Sequence, residues 1–370
     1  MSDELYMSRA LKLAEKARGR TSPNPMVGAV VVKDGSVAGE GFHARAGTAH
    51  AEVVALRAAG EDARGATLYV NLEPCCVQGR TPPCTEAVMA AGIARVVSAM
   101  EDPNPAVRGR GHEILRRAGI EVVTGVLEPA AKRLNEVFAK YTTTGRPFVY
   151  LKCAMTLDGK IATSNGDSKW VTGEQARLRV HKLRDAVDAV MVGRRTIDRD
   201  DPSLTTRLPQ EDGRDAIRIV LDGKALTNPD ARVLTIESAA PTWIVVSDDA
   251  DAGKVDALRA AGAEIIEVPG QDGVIDISQL MVRLGKLGVT SLLIEGGAEV
   301  NAAAFESRIV DKYVFFVAPK IVGGEDALPP ISGTGVTDMA DALRLSECEV
   351  ERVGDDVLIQ GYARDVYRDN

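Results

Sequence analysis

The chain is poor in the residues that mark several whole classes of protein. Aromatic residues make up only 4% of it, so Ala, Val, Leu and Ile must fill its cores. Five cysteines in 370 residues are too few for a disulfide scaffold. No stretch approaches the ~18 consecutive apolar residues that a membrane-spanning helix needs. The opening MSDELYMSRALKLAEKARGR has no apolar core and is interrupted by acids, so it is expected to be helix, not a secretory leader. No run is strongly basic, and the net charge is −8. Nucleic-acid binders usually carry a basic face. The expectation is a cytoplasmic protein with a small-molecule substrate, and neither nucleic acid nor membrane as partner. Tandem repeats and low-complexity tracts are absent as well.

The bulk composition is that of a globular protein, with 45% hydrophobic and 26% charged residues. The length suggests two domains, each long enough to bury its own core. Ser2 is a candidate cap for a helix running to about Arg18. Residues 27–32 read as a buried strand, and Asp34-Gly35 as a hairpin turn into 37–41. Helix signals follow at 50–59, 84–91, 111–118 and 130–141, and strands at 67–70, 95–99 and 120–124. The polar, Gly/Pro-punctuated Thr142-Thr143-Thr144-Gly145-Arg146-Pro147 is the best candidate boundary, which gives domains 1–145 and 146–370. Beyond it, strands are expected at 148–151, 187–192, 217–221, 243–246, 291–294 and 313–317, and helices at 252–261 and 277–287. Both halves read as α/β.

The sharp motif is His50-Ala51-Glu52, followed by Pro74-Cys75-Cys76-Val77-Gln78-Gly79-Arg80-Thr81-Pro82-Pro83-Cys84. His50, Cys75 and Cys84 supply one imidazole and two thiolates, which leaves a fourth position on zinc open for water, the arrangement of a catalytic site. Glu52 is suited to carry a proton from that water to a leaving amine. Residues two apart on a helix diverge by about 200°. His50 and Glu52 therefore meet only at a helix's first turn, for which Thr48 is a candidate cap. A lone His-x-Glu means little, and Cys75 alone is as well read as a small buried hydrophobe. Together with Pro74 they match the His-x-Glu…Pro-Cys pattern of zinc deaminases, except that the second cysteine comes much later than that pattern has it. Cys76 is a rival ligand. Cys75 is preferred because it follows Pro74 directly.

That long loop carries a resemblance. Ser22-Pro23-Asn24-Pro25, His50-Ala51-Glu52, Leu72-Glu73-Pro74-Cys75, Gly79-Arg80-Thr81-Pro82-Pro83-Cys84 and Asp102-Pro103-Asn104-Pro105 resemble the bifunctional riboflavin-biosynthesis deaminase–reductase family. The second half resembles its reductase part in Lys152 to Ala162, Ser168-Lys169-Trp170, Gly193-Arg194-Arg195-Thr196, Asp200 to Thr205 and the strand–turn Ile294-Glu295-Gly296-Gly297. The resemblance implies a cytidine-deaminase-like three-layer domain followed by a dihydrofolate-reductase-like domain. It also implies one zinc ion, NADPH, and a homo-oligomer formed through the reductase half. It puts Asn24 and His43 in a pyrimidine pocket. Without it, Asn24 reads as turn chemistry, His43 as a surface imidazole, and Arg80 about equally as a solvated residue or a phosphate partner. It lays Ala154, Trp170, Thr196, Asp200, Gly296 and Gly297 along the cofactor. Ser168, Arg184, Leu204, Arg207 and Glu295 then lie along a pyrimidine ribosyl phosphate, with Lys152 and Asp158 as pocket candidates.

The plain alternatives are a core or edge aromatic for Trp170 and a solvated helix face for Arg184. Glu295 is harder to dismiss, since a carboxylate ending an apolar strand is an odd choice unless it meets a ligand. Cys153 and Cys348 are read as buried structural residues, and His112 and His181 as structural. One departure stands out: the family usually has Ser-His-His or Ser-His-Tyr where this chain has Cys76-Val77-Gln78. Two rivals remain at this stage. One is a zinc deaminase of another nucleobase, nucleoside or RNA substrate. The other is a protein with closed structural zinc, Cys76 being the fourth ligand.

Overall fold

Side chains alternate across a pleated strand, and that alternation decides the layering of the N-terminal half. Strands β1 (Gly28–Lys33) and β2 (Ser36–Phe42) form a hairpin in which Gly28 pairs with Phe42 and Ala29 with Gly41. Gly28 and Gly41 therefore lie on opposite faces. A Cβ on Gly28 would meet the Ala10 carbonyl at 2.1 Å, on helix α1 (Asp3–Glu15). One on Gly41 would meet the Ala55 amide at 2.6 Å, on α2 (Ala51–Ala59). One helix packs on each face, and glycine is what admits both backbones.

The computed structural model describes residues 2–79, 82–209 and 213–367. The chain divides into two compact units between Thr144 and Gly145. In the first unit, β3 (Thr67–Val70), α3 (Cys84–Ala90), β4 (Arg95–Ser98), α4 (Arg110–Arg117) and β5 (Glu121–Thr124) follow the hairpin. Helices α5 (Glu128–Leu134) and α6 (Glu136–Thr144) close the unit. Its sheet has the order β2-β1-β3-β4-β5, with β1 antiparallel to both neighbours and β3, β4 and β5 parallel.

The helix expected over 130–141 is two helices, broken at Asn135. The buried Asn135 side chain accepts from the Met26 N–H (2.9 Å) and donates to the Met26 carbonyl (3.1 Å). Asn71 clamps the same stretch: it accepts from the Gly28 N–H (2.8 Å) and donates to the Met26 carbonyl (3.0 Å). Residues 142–144 are also not linker. The Thr143 and Thr144 hydroxyls bond back to the carbonyls four residues earlier, at Ala139 and Lys140. Their polarity is thus satisfied inside α6.

The second unit runs β6 (Phe148–Thr156), α7 (Glu174–Ala186), β7 (Ala189–Gly193), α8 (Arg194–Asp200), β8 (Ile217–Leu221), α9 (Arg232–Thr235) and β9 (Thr242–Ser247). Then come α10 (Ala252–Ala260), β10 (Glu264–Val268), the short pair β11 (Gly270–Gln271) and β12 (Val274–Ile275), α11 (Ile277–Lys286) and β13 (Ser291–Gly296). It ends with α12 (Ala298–Glu306), β14 (Lys312–Ala318), β15 (Ser346–Val353) and β16 (Asp356–Tyr362). The large sheet has the order β10-β9-β8-β7-β13-β6-β14-β16-β15. Strands β10 through β14 in that order are parallel, and β16 and β15 are antiparallel at the edge. On β13, Leu292 and Ile294 join a core with Leu280 and Leu284 of α11, whereas Leu293 joins one with Leu258 of α10. Helices therefore cover both faces, which is why strands such as β7 are apolar at every position. Among the described residues no helix is long and apolar enough to cross a membrane.

Candidate functional site

His50 is the last extended residue before α2, with φ −71° and ψ 158°, and Glu52 stands in the first turn. The first-turn placement that the spacing demands is met, although Thr48 is not the cap. Its hydroxyl turns back to the Arg45 carbonyl at 2.7 Å. Cys84 opens α3, and its N–H donates to Cys75 Sγ at 3.4 Å. The N-terminus of α3 thus faces the Cys75 sulfur, where its amide dipoles favour a thiolate.

The donor atoms of His50, Cys75 and Cys84 lie within 4.8 Å of one another. His50 Nδ1 is 3.1 Å from Cys84 Sγ and 3.5 Å from Cys75 Sγ. Zinc bonds of about 2.0 and 2.3 Å at a tetrahedral angle span about 3.5 Å between N and S. The three donors are already spaced to hold such an ion. Cys75 is pushed down, to about 4, first by its contact with Cys84 and then by His50. Cys84 is pushed up by that same contact. Cys76 is half-buried and lies outside the cluster, and among the described residues no fourth His, Cys, Asp or Glu joins it. A closed four-ligand site lacks its fourth donor. The carboxyl of buried Glu52 is driven up to about 7 by burial and then by the Cys75 charge.

Beside this cluster, His43 is buried rather than on the surface. Its Nδ1 faces the Ala49 carbonyl (3.1 Å), which fixes Nδ1–H as a donor and leaves Nε2 to accept from Asn24 Nδ2 (3.0 Å). The His43 and His50 rings meet edge to face at 5.3 Å. Asn24, His43 and the metal cluster thus form one continuous wall. Val77 and Gln78 are exposed on the loop that follows Cys75, and Arg80 lies outside the described residues. Sequence reasoning missed Glu73. Its buried carboxylate accepts the N–H groups of Asp102 (3.1 Å), Gly109 (2.9 Å) and His112 (3.2 Å). It fixes the segment that begins at Asp102-Pro103-Asn104-Pro105 directly behind Pro74-Cys75. The only signal was an acid two residues before a ligand.

In the second unit a cleft of about 580 Å³ opens at the C-terminal ends of β8, β7 and β13 and against β6. Ligands of parallel α/β sheets bind at such ends. Ala154, Trp170, Thr196, Asp200, Gly296 and Gly297 all line it, as do Lys152, Ser168, Arg184, Arg207 and Glu295. Gly296 and Gly297 have φ of 117° and 68°, and a Cβ on Gly297 would stand 3.3 Å from Thr196 Oγ1. The turn needs glycine.

Arg184 is not on a solvated face. It forms a two-pronged ion pair with Glu295 (Nη2–Oε2 3.0 Å) and donates to the Thr205 carbonyl (2.9 Å), both side chains being buried. Lys152 Nζ lies 3.9 Å from Glu295 Oε2. Burial alone would push the Glu295 carboxyl up. Arg184 and then Lys152 outweigh it and keep the group below the usual range. Trp170 is exposed at the rim, with the Arg177 guanidinium 4.7 Å from its ring centre.

Two expected residues do not line the cleft. Asp158 is spent on the backbone, accepting from the N–H groups of Val322 (3.2 Å) and Gly323 (2.7 Å) and from the Thr156 hydroxyl (2.6 Å). Leu204 is buried in the core with a left-handed φ of 53°. Conversely, His181 does line the cleft. Its Nδ1 accepts the Arg207 N–H at 3.2 Å, and burial, then Arg184 and Arg207, drive it down to about 4. Cys153 is buried, as expected, but Cys348 is exposed.

Fold and sites together define a zinc-dependent hydrolytic deaminase joined to a dinucleotide-dependent reductase. The model of the cytidine and deoxycytidylate deaminase zinc-binding region matches residues 1–100, and that of the RibD C-terminal domain matches residues 147–359. The chain belongs to the RibD family, the bifunctional deaminase–reductases of riboflavin biosynthesis. It is 41% identical to the riboflavin biosynthesis protein RibD of Escherichia coli, over 97% of this chain and 99% of that one. It is 42% identical to the RibD of Actinobacillus pleuropneumoniae, over 97% and 95%. Among solved structures, the diaminohydroxyphosphoribosylaminopyrimidine deaminase/5-amino-6-(5-phosphoribosylamino)uracil reductase of Thermotoga maritima matches with a TM-score of 0.85 and 38% identity, covering 97% of this chain and 98% of that one. Acinetobacter baumannii RibD matches with a TM-score of 0.86 and 37% identity at the same coverage.

Proposed function

We propose that the two units act in succession on one pyrimidine ribosyl phosphate. The substrate would be diaminohydroxyphosphoribosylaminopyrimidine, deaminated in the first unit. Its aminouracil product would be reduced in the second, from ribosyl to ribityl. The observation that carries this reading is the open Cys₂His cluster with the buried Glu52 carboxyl beside it.

When bound by His50, Cys75 and Cys84, zinc supplies an acidified water as the nucleophile. Glu52 would take a proton from that water as its oxygen bonds to the amine-bearing ring carbon, and return it to the departing amine, so that the C–N bond breaks, ammonia leaves and the carbon is left as a carbonyl. Asn24 and His43, locked to each other, hold the pyrimidine edge. In the second unit NADPH, when bound, supplies the hydride. Lys152, Arg184 and Arg207 offer cations to the sugar phosphate. Glu295 stays ionised because the charges of Arg184 and Lys152 outweigh the burial that opposes it. Hydride delivered to sugar C1 would take the place of the bond from C1 to the ring oxygen, which would break and take up a proton from solvent, so that the ribosyl ring opens.

Mass spectrometry of the diaminopyrimidine phosphate incubated with zinc-loaded protein tests both steps. A gain of about one mass unit is expected from the deamination, and about two more only with NADPH present. Turnover of cytidine or guanine instead, with the pyrimidine phosphate untouched, would refute the substrate.

The same reading makes the protein a cytoplasmic homo-oligomer joined through its reductase unit. Strand β15 is exposed at all positions but its last and lies on the sheet edge. Val350 pairs with Ile359 there, and the two are 70% and 38% exposed. An exposed edge strand with an apolar pair beside it offers a second copy a place to pack. Sedimentation velocity is expected to show a dimer or larger, shifted toward monomer by Val350→Lys. A wild-type monomer at all concentrations would remove this part of the proposal.

A further inference from the structure

The four strands that floor the reductase cleft lie side by side in the order β8-β7-β13-β6. At about 4.8 Å per strand, the end of β8 stands roughly 14 Å from β6. Lys152 on β6 and Glu295 on β13 mark the reacting end. The Gly296–Gly297 turn before α12 marks the middle, where a pyrophosphate suits a helix N-terminus. A dinucleotide laid along the cleft therefore puts its adenosine ribose over the end of β8.

That end carries an acid and a lysine. An acid following a strand at this place commonly binds a ribose 2′-hydroxyl and repels a 2′-phosphate. Here Asp222 is turned inward. Its Oδ2 accepts from both the Thr227 N–H (2.6 Å) and the Thr227 hydroxyl (2.7 Å), and its Oδ1 faces Arg194 Nε at 3.8 Å.

Lys224 stands two residues on, in a turn built with little freedom. The Ala225 N–H donates to the Asp222 carbonyl at 2.9 Å, and Ala225 has φ 53°. A Cβ on Gly223 would strike the Gly273 carbonyl at 2.0 Å. The Lys224 stem lies so close over Gly273 that a Cβ there would meet its Cγ at 2.4 Å. The stem of the side chain is thus laid in place, and Lys224 lines the cleft.

Two of the other cations at this end are already paired, and a third, Arg199, stands on the Gly166 side of the cleft. Arg194 pairs with Asp198 and faces Asp222, and Arg195 pairs with Glu299. Lys224 forms no ion pair among the described residues.

Resting on the reading of this cleft as the NADPH site, we infer that Lys224 recognises the 2′-phosphate of the dinucleotide and so sets the choice between NADPH and NADH. The test is binding of NADP⁺ and of NAD⁺ to the full chain, by titration calorimetry, in wild type, Lys224→Ala, Lys224→Arg and Arg199→Ala. Loss of a charge-assisted phosphate contact is expected to weaken NADP⁺ about tenfold in Lys224→Ala and leave NAD⁺ within about twofold. Lys224→Arg should keep the preference, and Arg199→Ala should leave the NADP⁺/NAD⁺ ratio as it was. Equal loss of both dinucleotides in Lys224→Ala, loss of neither, or a ratio that collapses in Arg199→Ala instead would overturn the assignment. A wild-type chain that binds neither dinucleotide would overturn the reading of the cleft along with it.

Discussion

Glu52→Gln is expected to lower the deaminase rate about 10²–10⁴-fold while leaving one zinc ion per chain. Such a loss corresponds to about 3–5 kcal/mol of barrier. It should not come from unfolding. Glutamine keeps the size and position of the side chain, and burial already disfavours the ionised form of this carboxyl. Nor should it come from a lost metal, because Glu52 is not among the three clustered donors. Single-turnover deamination paired with metal analysis of the same sample checks both points. Near-wild-type turnover would show that the proton takes another route. A variant depleted of zinc would make Glu52 a support for the cluster rather than the proton carrier.

Cys75→Ser is expected to strip the chain of zinc, and Cys76→Ser to leave most of it. The two thiols are neighbours in sequence but not in environment. Cys75 Sγ receives the N–H of Cys84 and lies 3.5 Å from His50 Nδ1. Cys76 stands outside that group, its thiol pushed up by burial. A hydroxyl in place of the Cys75 sulfur removes one of three ligands, and the remaining imidazole and thiolate cannot complete a catalytic zinc site. The readout is zinc per chain after passage through a mild chelator, with circular dichroism to confirm that both variants fold. Equal zinc loss in the two variants would sink the ligand assignment.

How much could be seen in advance varied with how local the feature is. His50, Glu52, Cys75 and Cys84 sit in two short motifs, and their chemistry restricts what they can do together. The strands of the parallel sheet were visible because helices bury both faces, so that β7, Ala-Val-Met-Val-Gly, is apolar throughout. Strand β15 had no such mark. Glu347-Cys348-Glu349-Val350-Glu351 does alternate polar and apolar residues, but the run is short and mostly charged, and in the single chain it presents no buried face.

Arg184 was singled out by the resemblance alone, because its own helix does not mark it. Its helix carries charges on several sides, and only the placement of β13 singles out the one that meets Glu295. Asp158 misled because its partners, Val322 and Gly323, are more than 160 residues away. Asn135 read as an ordinary polar residue within one helix, and nothing nearby announces that its amide belongs to Met26.

The paired amides of Asn71 and Asn135 have a thermodynamic consequence. Between them they hold the Met26 carbonyl and N–H, two residues from Asn24, and the Gly28 N–H. That stretch would otherwise be a free loop, and ordering it at the moment of encounter would weaken binding by the conformational entropy lost. Here the loss falls on folding, which the core supports. The wall that carries Asn24 is held in place before any ligand arrives, so under the proposed function its contacts to a pyrimidine would count in full toward affinity and toward rejecting one of the wrong shape.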